Sequence, residues 1–345
     1  MKQMQALLKT SPEKAAIDTI AIPEPGPGEV LIRVKAAALC GTDIHIYKWN
    51  AWAQNAGIDL PLVMGHECAG DVVALGPRVT GIEIGDRVSV ETHVPCQKCR
   101  QCLNGEQHIC NNLKLFGIHM NGCFAEYAVL PAMVARKIPP EISYHVGAVM
   151  EPLGTAFRSV LESHVGGTKV VVLGCGPIGL FTVAAARALG AASVVATDIS
   201  PDRLKIAEQM GADVTVNPME SDTAEVIAGL TDGYGADVII DAAGAVPAIQ
   251  EAFSYLRKGG RMTLIGLPGK PIEVEFGSQI VFKEAKIKGI HGRKMFATWT
   301  RLENLLQAGR LIVEPAITHV MALTEWNQGI DLALKGQACK VILEP

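Results

Sequence analysis

KVVVLGCGPIGLFTVAAARALGAASVVATD, residues 169–198, decides the fold. KVVVL reads as a buried strand, because β-branched side chains suit a pleated, covered surface. Gly174, Gly176 and Gly179 follow at G-x-G-x-x-G spacing, and a stretch rich in Ala and Leu opens directly after them as a helix. A second β-branched run, SVVAT, ends on Asp198, 19 residues past Gly179. In this strand–turn–helix setting Gly174 allows the tight turn. Gly176 lets the backbone approach a pyrophosphate, and Gly179 lets the helix pack on the strand. The free N–H groups of the helix start face the phosphates. A carboxylate at Asp198 can bond both adenosine ribose hydroxyls and repels a 2′-phosphate, which favours NAD over NADP. Arg203 can stack on adenine or pair with Asp198; turned towards a 2′-phosphate it would blur that preference. Ile178, inside the fingerprint, and Ile265, in RMTLIGL, complete the candidate cofactor contacts. A flavin on the same fingerprint is the rival ligand.

Outward from this stretch, strand-like runs alternate with helical ones: DVIIDAAG, PAIQEAFSYL, RMTLIGL, AKIKGIHG. Continuous apolar strands between helices imply a doubly wound parallel sheet covered on both faces, assigned to residues 153–294. Residues 1–152 differ. Short β-like runs such as EVLIRVKAAAL and DRVSVETHV are broken by Gly and Pro, as in an irregular, barrel-like β domain. Residues 295–345 offer two helical stretches and a closing strand. Two domains suit a chain of 345 residues.

A net charge of −4 provides no basic field for nucleic acid. Val170–Ala186 is uncharged but spans 17 residues and is interrupted by Gly and Pro, short of a membrane span. MKQMQALLKT has no secretory character. A soluble, cytoplasmic protein is expected.

Cys96, Cys99, Cys102 and Cys110 lie in PCQKCRQCLNGEQHIC. Four thiolates this close can wrap one tetrahedral Zn²⁺ at a closed structural site. Nine cysteines is an odd number, and an intracellular chain keeps thiols reduced, so metal is preferred to disulfides. An iron–sulfur cluster is the rival.

CGTDIH groups Cys40, Thr42, Asp43 and His45; GHE groups His66 and Glu67; MEPLG carries Glu151. Each alone has a plainer reading: a small buried Cys, a core His, a turn Thr, a solvated Glu. Together, Cys, His and carboxylate can hold Zn²⁺ with one position open. With the cysteine lobe and G-x-G-x-x-G, and in this order along nearly the whole chain, these motifs closely resemble the zinc-dependent medium-chain dehydrogenase/reductase family. The resemblance implies a GroES-like catalytic domain built from 1–152 and 295–345, with a Rossmann NAD domain, 153–294, inserted between. It implies catalytic zinc on Cys40 and His66, with Glu67 and then Glu151 as the remaining candidate ligands, and a structural zinc in the lobe. Zinc lowers the pKa of a bound oxygen acid, which prepares an alcohol to give up hydride to NAD. The implied proton relay runs through Thr42, the cofactor ribose and His45.

CGTDIHIYKWNAWAQ, GIHGRKMFATW and GQACKVIL further resemble those members that oxidise L-threonine to 2-amino-3-oxobutanoate. The substrate carries both charges. His93 is assigned to its carboxylate, Glu151 to its ammonium, and Arg293 to a carboxylate or the cofactor. A polyol or 2,3-butanediol is the alternative substrate, and a non-catalytic member of the fold is the alternative class. Cys68, where a bulky aromatic is common, and AQNAGIDL (53–60) depart from the pattern. A homotetramer is expected, paired through the RMTLIGL and AKIKGIHG edge and the lobe.

Overall fold

The computed structural model describes residues 2–345, and the chain divides into two compact units. One comprises Met1–Glu151 with Ile317–Pro345, the other Pro152–Ala316.

The second unit holds a six-stranded sheet, parallel throughout. Its strands are Lys169–Leu173, Ser193–Thr197, Val214–Val216, Ala236–Asp241, Leu256–Leu264 and Lys286–Gly289. Numbered along the chain, their spatial order is 3-2-1-4-5-6, the order of doubly wound dinucleotide-binding sheets. Val171, Leu173, Val195, Ile239 and Met262 from four of these strands share one apolar core with Ile249 and Phe253 of the helix Val246–Tyr255. The order reverses between Lys169–Leu173 and Ala236–Asp241, so the glycine turn after Leu173 sits at the crevice where such sheets take ligands.

The first unit is β-rich. A seven-stranded sheet runs Ala135–Lys137, Arg87–Val90, Glu67–Leu75, Glu29–Ala38, Lys340–Glu344, Ile317–Ala322, with Tyr127–Pro131 also on Glu29–Ala38. A three-stranded sheet of Lys14–Ala21, Gln3–Ser11 and Leu62–Val63 accompanies it. The last strand therefore lies beside an early one, antiparallel, with Ile342 opposite Ala38.

The second division falls at 316/317, whereas the sequence reading set it at 294/295. The helix Ala297–Gln307 explains the difference. It buries Thr298, Trp299 and Leu302, and just beyond it Arg310 donates to the Ala188 carbonyl at 3.4 Å, within the second unit. Only the strands after Ile317 have ladder partners in the first unit. Among the described residues no helix is long and apolar enough to cross a membrane.

Candidate metal centre and cofactor turn

Strand register assembles the metal group. Ala38 lies opposite Glu67 on one side of Glu29–Ala38, and opposite Ile342 on the other. Two residues past Ala38, Cys40 becomes the N-cap of the helix Gly41–Lys48. Cys40 and His66, 26 positions apart in sequence, thus emerge together at the end of one ladder. Ligand atoms of Cys40, His66 and Glu67 all lie within 4.8 Å of one another. Glu151 falls outside that spacing, although its charge acts on Glu67 and Lys340.

The donor set fits a cation. His66 Nδ1, Glu67 Oε1 and Asp43 Oδ1 are buried with no hydrogen-bond partner. Buried polar atoms are rarely left so, and an ion is one resolution. Burial opposes charge on His66, yet Asp43 and then Cys40 beside it hold its pKa well above the usual range. Asp43 was not singled out as a site residue from sequence. Its Oδ2 accepts from the Cys40 N–H at 2.9 Å, and its Oδ1 stands 3.5 Å from His66 Nδ1. A carboxylate behind a ligating histidine fixes the ring and raises its basicity.

Lys340 is the larger omission. It is 1% exposed, its Nζ pairs with Glu67 Oε2, and it donates to the Leu39 carbonyl at 2.9 Å. Burial pushes Glu67 up to about 7, with the Lys340 ammonium pulling against it.

Thr42 and His45 lie three residues apart on the helix Gly41–Lys48 and so share a face. Thr42 is half-buried and His45 exposed. Asn50 Nδ2 lies 2.7 Å from His45 Nδ1, while Asn50 Oδ1 accepts from Ala53 N as a helix cap. The amide orientation is thereby set, and Nδ1 of His45 accepts. His93 is buried, with Nδ1 2.7 Å from Glu91 Oε1. The Glu91 carboxylate thus orients the ring.

The lobe has the dimensions of a single ion. All four sulfurs lie within 4.8 Å of one another, and Cys99 Sγ is 3.5 Å from Cys102 Sγ and 3.8 Å from Cys110 Sγ. Bonds of about 2.3 Å to one tetrahedral zinc place sulfurs about 3.8 Å apart. An iron–sulfur cluster would hold them wider. Among the described residues no cysteine is in a disulfide. The thiols conflict on their own: a backbone N–H at Lys98 draws Cys96 down to about 6, while burial pushes Cys102 up to about 12. A divalent cation resolves that conflict by making all four thiolates favourable.

In the other unit, Gly174 has φ +87°, and a Cβ on it would meet Ala243 Cβ at 2.7 Å. A Cβ on Gly179 would stand 1.8 Å from the Gly174 carbonyl oxygen, whereas one on Gly176 would meet nothing within 4 Å. Packing thus explains two of the glycines. The third borders open space at the N-cap of the helix Pro177–Ala188, where a phosphate can approach. Asp198 is held rigid, its Oδ2 accepting from Cys175 N at 2.7 Å and its Oδ1 from Ser200 N at 2.9 Å. Arg203 is half-buried, and its Nε has no partner. Ile178 and Ile265 are half-buried. Arg293 is 1% exposed; Nη1 lies 3.2 Å from Thr155 Oγ1, and its stem fills the space beside Gly154.

Known proteins match along both units. The family model for the alcohol dehydrogenase GroES-like domain covers residues 26–140, and that for zinc-binding dehydrogenases covers 177–308. The L-threonine 3-dehydrogenase of Pyrococcus furiosus is 42% identical over 344 residues, 99% of this chain and 98% of that protein. An alcohol dehydrogenase of Escherichia coli CFT073 complexed with NADH superposes with a TM-score of 0.92 at 31% identity, covering 100% of both chains. The 2R,3R-butanediol dehydrogenase of Bacillus subtilis gives a TM-score of 0.91 at 29% identity, covering 99% of each.

Proposed function

As the chain belongs to the zinc-binding alcohol dehydrogenase family, with its GroES-like domain, we propose that it oxidises the β-hydroxyl of L-threonine to 2-amino-3-oxobutanoate, with NAD as hydride acceptor. The juxtaposition of Cys40, His66 and Glu67 carries this reading, because it supplies a mixed donor set with buried atoms left unsatisfied. The 42% identity to a threonine enzyme, against 29% to a butanediol enzyme, supports the substrate.

Cys40 and His66 would hold the catalytic zinc, with Glu67 before Glu151 as the next ligand, and Cys96, Cys99, Cys102 and Cys110 a structural one. When bound, zinc supplies a Lewis acid that acidifies the substrate hydroxyl, and NAD supplies the hydride acceptor. Asp43 orients His66. Thr42 accepts the hydroxyl proton, and His45, exposed on the same helical face, delivers it to solvent. His93 bonds the substrate carboxylate, and Glu151 neutralises its ammonium. Arg293, buried against Gly154 and bonded to Thr155, serves better to brace its own unit than to meet the substrate.

Gly174, Gly176 and Gly179 seat the pyrophosphate, Asp198 takes the ribose hydroxyls, Arg203 covers the adenine, and Ile178 and Ile265 line its bed. NAD is preferred to NADP because Asp198 is anchored by two backbone N–H groups and cannot turn away from a 2′-phosphate.

The assembly would be a cytoplasmic homotetramer. Lys286–Gly289 is an exposed edge strand that carries Ile287, and Phe276, Val281 and Phe282, shortly before it in sequence, are exposed too; exposed edges and apolar surface of this kind are ordinarily covered.

NADH formation by zinc-loaded protein, compared across L-threonine, sorbitol, xylitol and 2,3-butanediol, tests the reading. Turnover with L-threonine far above the others is expected. Preference for an uncharged diol would discard the amino-acid pocket.

A further inference from the structure

The ammonium of Lys340 has no evident reason to be where it is. A lysine almost wholly removed from water is costly unless its charge is matched. This one is matched by Glu67, itself one of the candidate zinc ligands. Register extrapolated from Ile342–Ala38 and Leu343–Ala37 puts Lys340 level with Cys40, on the side of Glu29–Ala38 away from Glu67–Leu75. Its two recorded partners bracket the ligands in sequence: the Leu39 carbonyl directly precedes Cys40, and Glu67 directly follows His66.

Glu67 is therefore divided. Oε2 is paired with Lys340, while Oε1 is buried without a partner in the residue set that includes Cys40 and His66. A zinc site closed by four protein ligands is structural, whereas a catalytic one keeps a position open. With Cys40 and His66 the other donors in reach, how many positions stay open turns on how firmly Glu67 is drawn to the ion.

We propose that Lys340 is a positioning residue that holds one oxygen of Glu67 in competition with the metal, so that the carboxylate is a reversible ligand and the substrate position stays available. This rests on the catalytic zinc assignment made above. Lys340 also leaves the pair Cys40–Glu67 less negative, so the protein retains the metal less tightly than its donors alone would.

The alternative is a buried ion pair that only stabilises the fold, and the two differ in sign. If Lys340 holds Glu67 back, Lys340→Met releases the carboxylate to the ion. Metal loss to a chelator then slows several-fold while kcat falls at least tenfold. If the pair is only structural, the same variant loses metal faster and melts earlier.

The test uses full-length protein with cobalt(II) in place of zinc. Visible absorption reads the coordination number, chelator challenge reads the release rate, and Cys40→Ser identifies the bands of this site. Lys340→Met should shift those bands towards higher coordination. Lys340→Arg, whose planar fork can grip both carboxylate oxygens, should shift them the other way and speed release. In a Glu67→Gln background neither change should matter. Should Lys340→Met not fold, Lys340→Arg decides alone: bands and release rate like those of the parent overturn the proposal. Bands insensitive to Cys40→Ser would instead overturn the zinc assignment, a distinct failure.

Discussion

The cysteine lobe and the Cys40–His66–Glu67 group both gather metal donors, yet they are built on opposite plans. The lobe draws four like donors from 15 consecutive residues, and their sulfurs already stand near the spacing one zinc requires. Backbone N–H groups of Cys96 and Asn112 donate to Cys110 Sγ. The other group takes unlike donors from separate segments, leaves buried atoms unsatisfied, and sets a lysine against one donor. On the proposed assignment the first would be a closed staple. The second, with three donors of mixed type, would leave a position for substrate.

Breaking the open group should cost most. Cys40→Ser is expected to lower L-threonine oxidation by about 10³-fold, since several kcal/mol of transition-state stabilisation depend on the metal. Metal analysis should show one equivalent lost and the lobe still loaded; loss of both would mean that the two sites are not independent.

The closed staple should fail differently. Cys99→Ser is expected to lose the lobe metal and lower Tm by on the order of 10 °C, because structural zinc contributes directly to folding. Turnover per molecule below the melting range should stay within about twofold. Zinc content equal to the parent's would break the contrast between staple and reaction centre.

A third site uses neither metal nor cysteine chemistry. Asp198→Gly removes a carboxylate held by two backbone donors and should move the NAD/NADP preference by about 10- to 100-fold, the value of one or two charge-assisted bonds. An unaltered ratio of kcat/KM for the two cofactors would take Asp198 out of its role.

The smallest effect sharpens the contrast from the side of charge without metal. Glu162 sits among Arg158, Lys288 and Lys294. Burial alone would raise its pKa, but hydrogen bonds from Lys288 and Arg158 bring it down to about 2. A depressed carboxylate contributes stability that is full above its unfolded pKa of about 4.3 and fades as pH falls towards the folded value. Glu162→Gln should thus cost on the order of 1 kcal/mol at pH 7, discounted because the lysines are half in water. The difference in Tm from the parent should vanish near pH 2; a gap that persisted there would point to packing.

These sites were unequally legible in the sequence. The glycine fingerprint and the lobe are local patterns whose spacing carries their geometry, and both appear where that spacing puts them. Cys40 and His66 have no such spacing, since strand register brings them together. They were legible only through the family likeness, and their nearness agrees with it. Lys340 was invisible because a lysine in GQACKVIL reads as a solvated strand end, and only the pairing of Lys340–Glu344 with Glu29–Ala38 buries it. Asp43 was quoted with its motif but given no task, because its partner lies in another segment. The boundary at 316/317 was missed because an amphipathic helix does not announce which core its apolar stripe will join.

The placement of Lys340–Glu344 also bears on the order of events during synthesis. Every strand of the dinucleotide-binding sheet precedes Lys340–Glu344 in the chain, so that sheet can pair before the later strand is made. The β-rich unit cannot, because the strand that flanks Cys40 and supplies the counter-ion of Glu67 follows all of those strands in the chain. If Lys340 restrains Glu67 as proposed, an ion captured earlier would meet the donors in their more tenacious form. Metal loading would then be tied to the arrival of residue 340, and a nascent chain stalled short of it would be a metal trap before it was an enzyme.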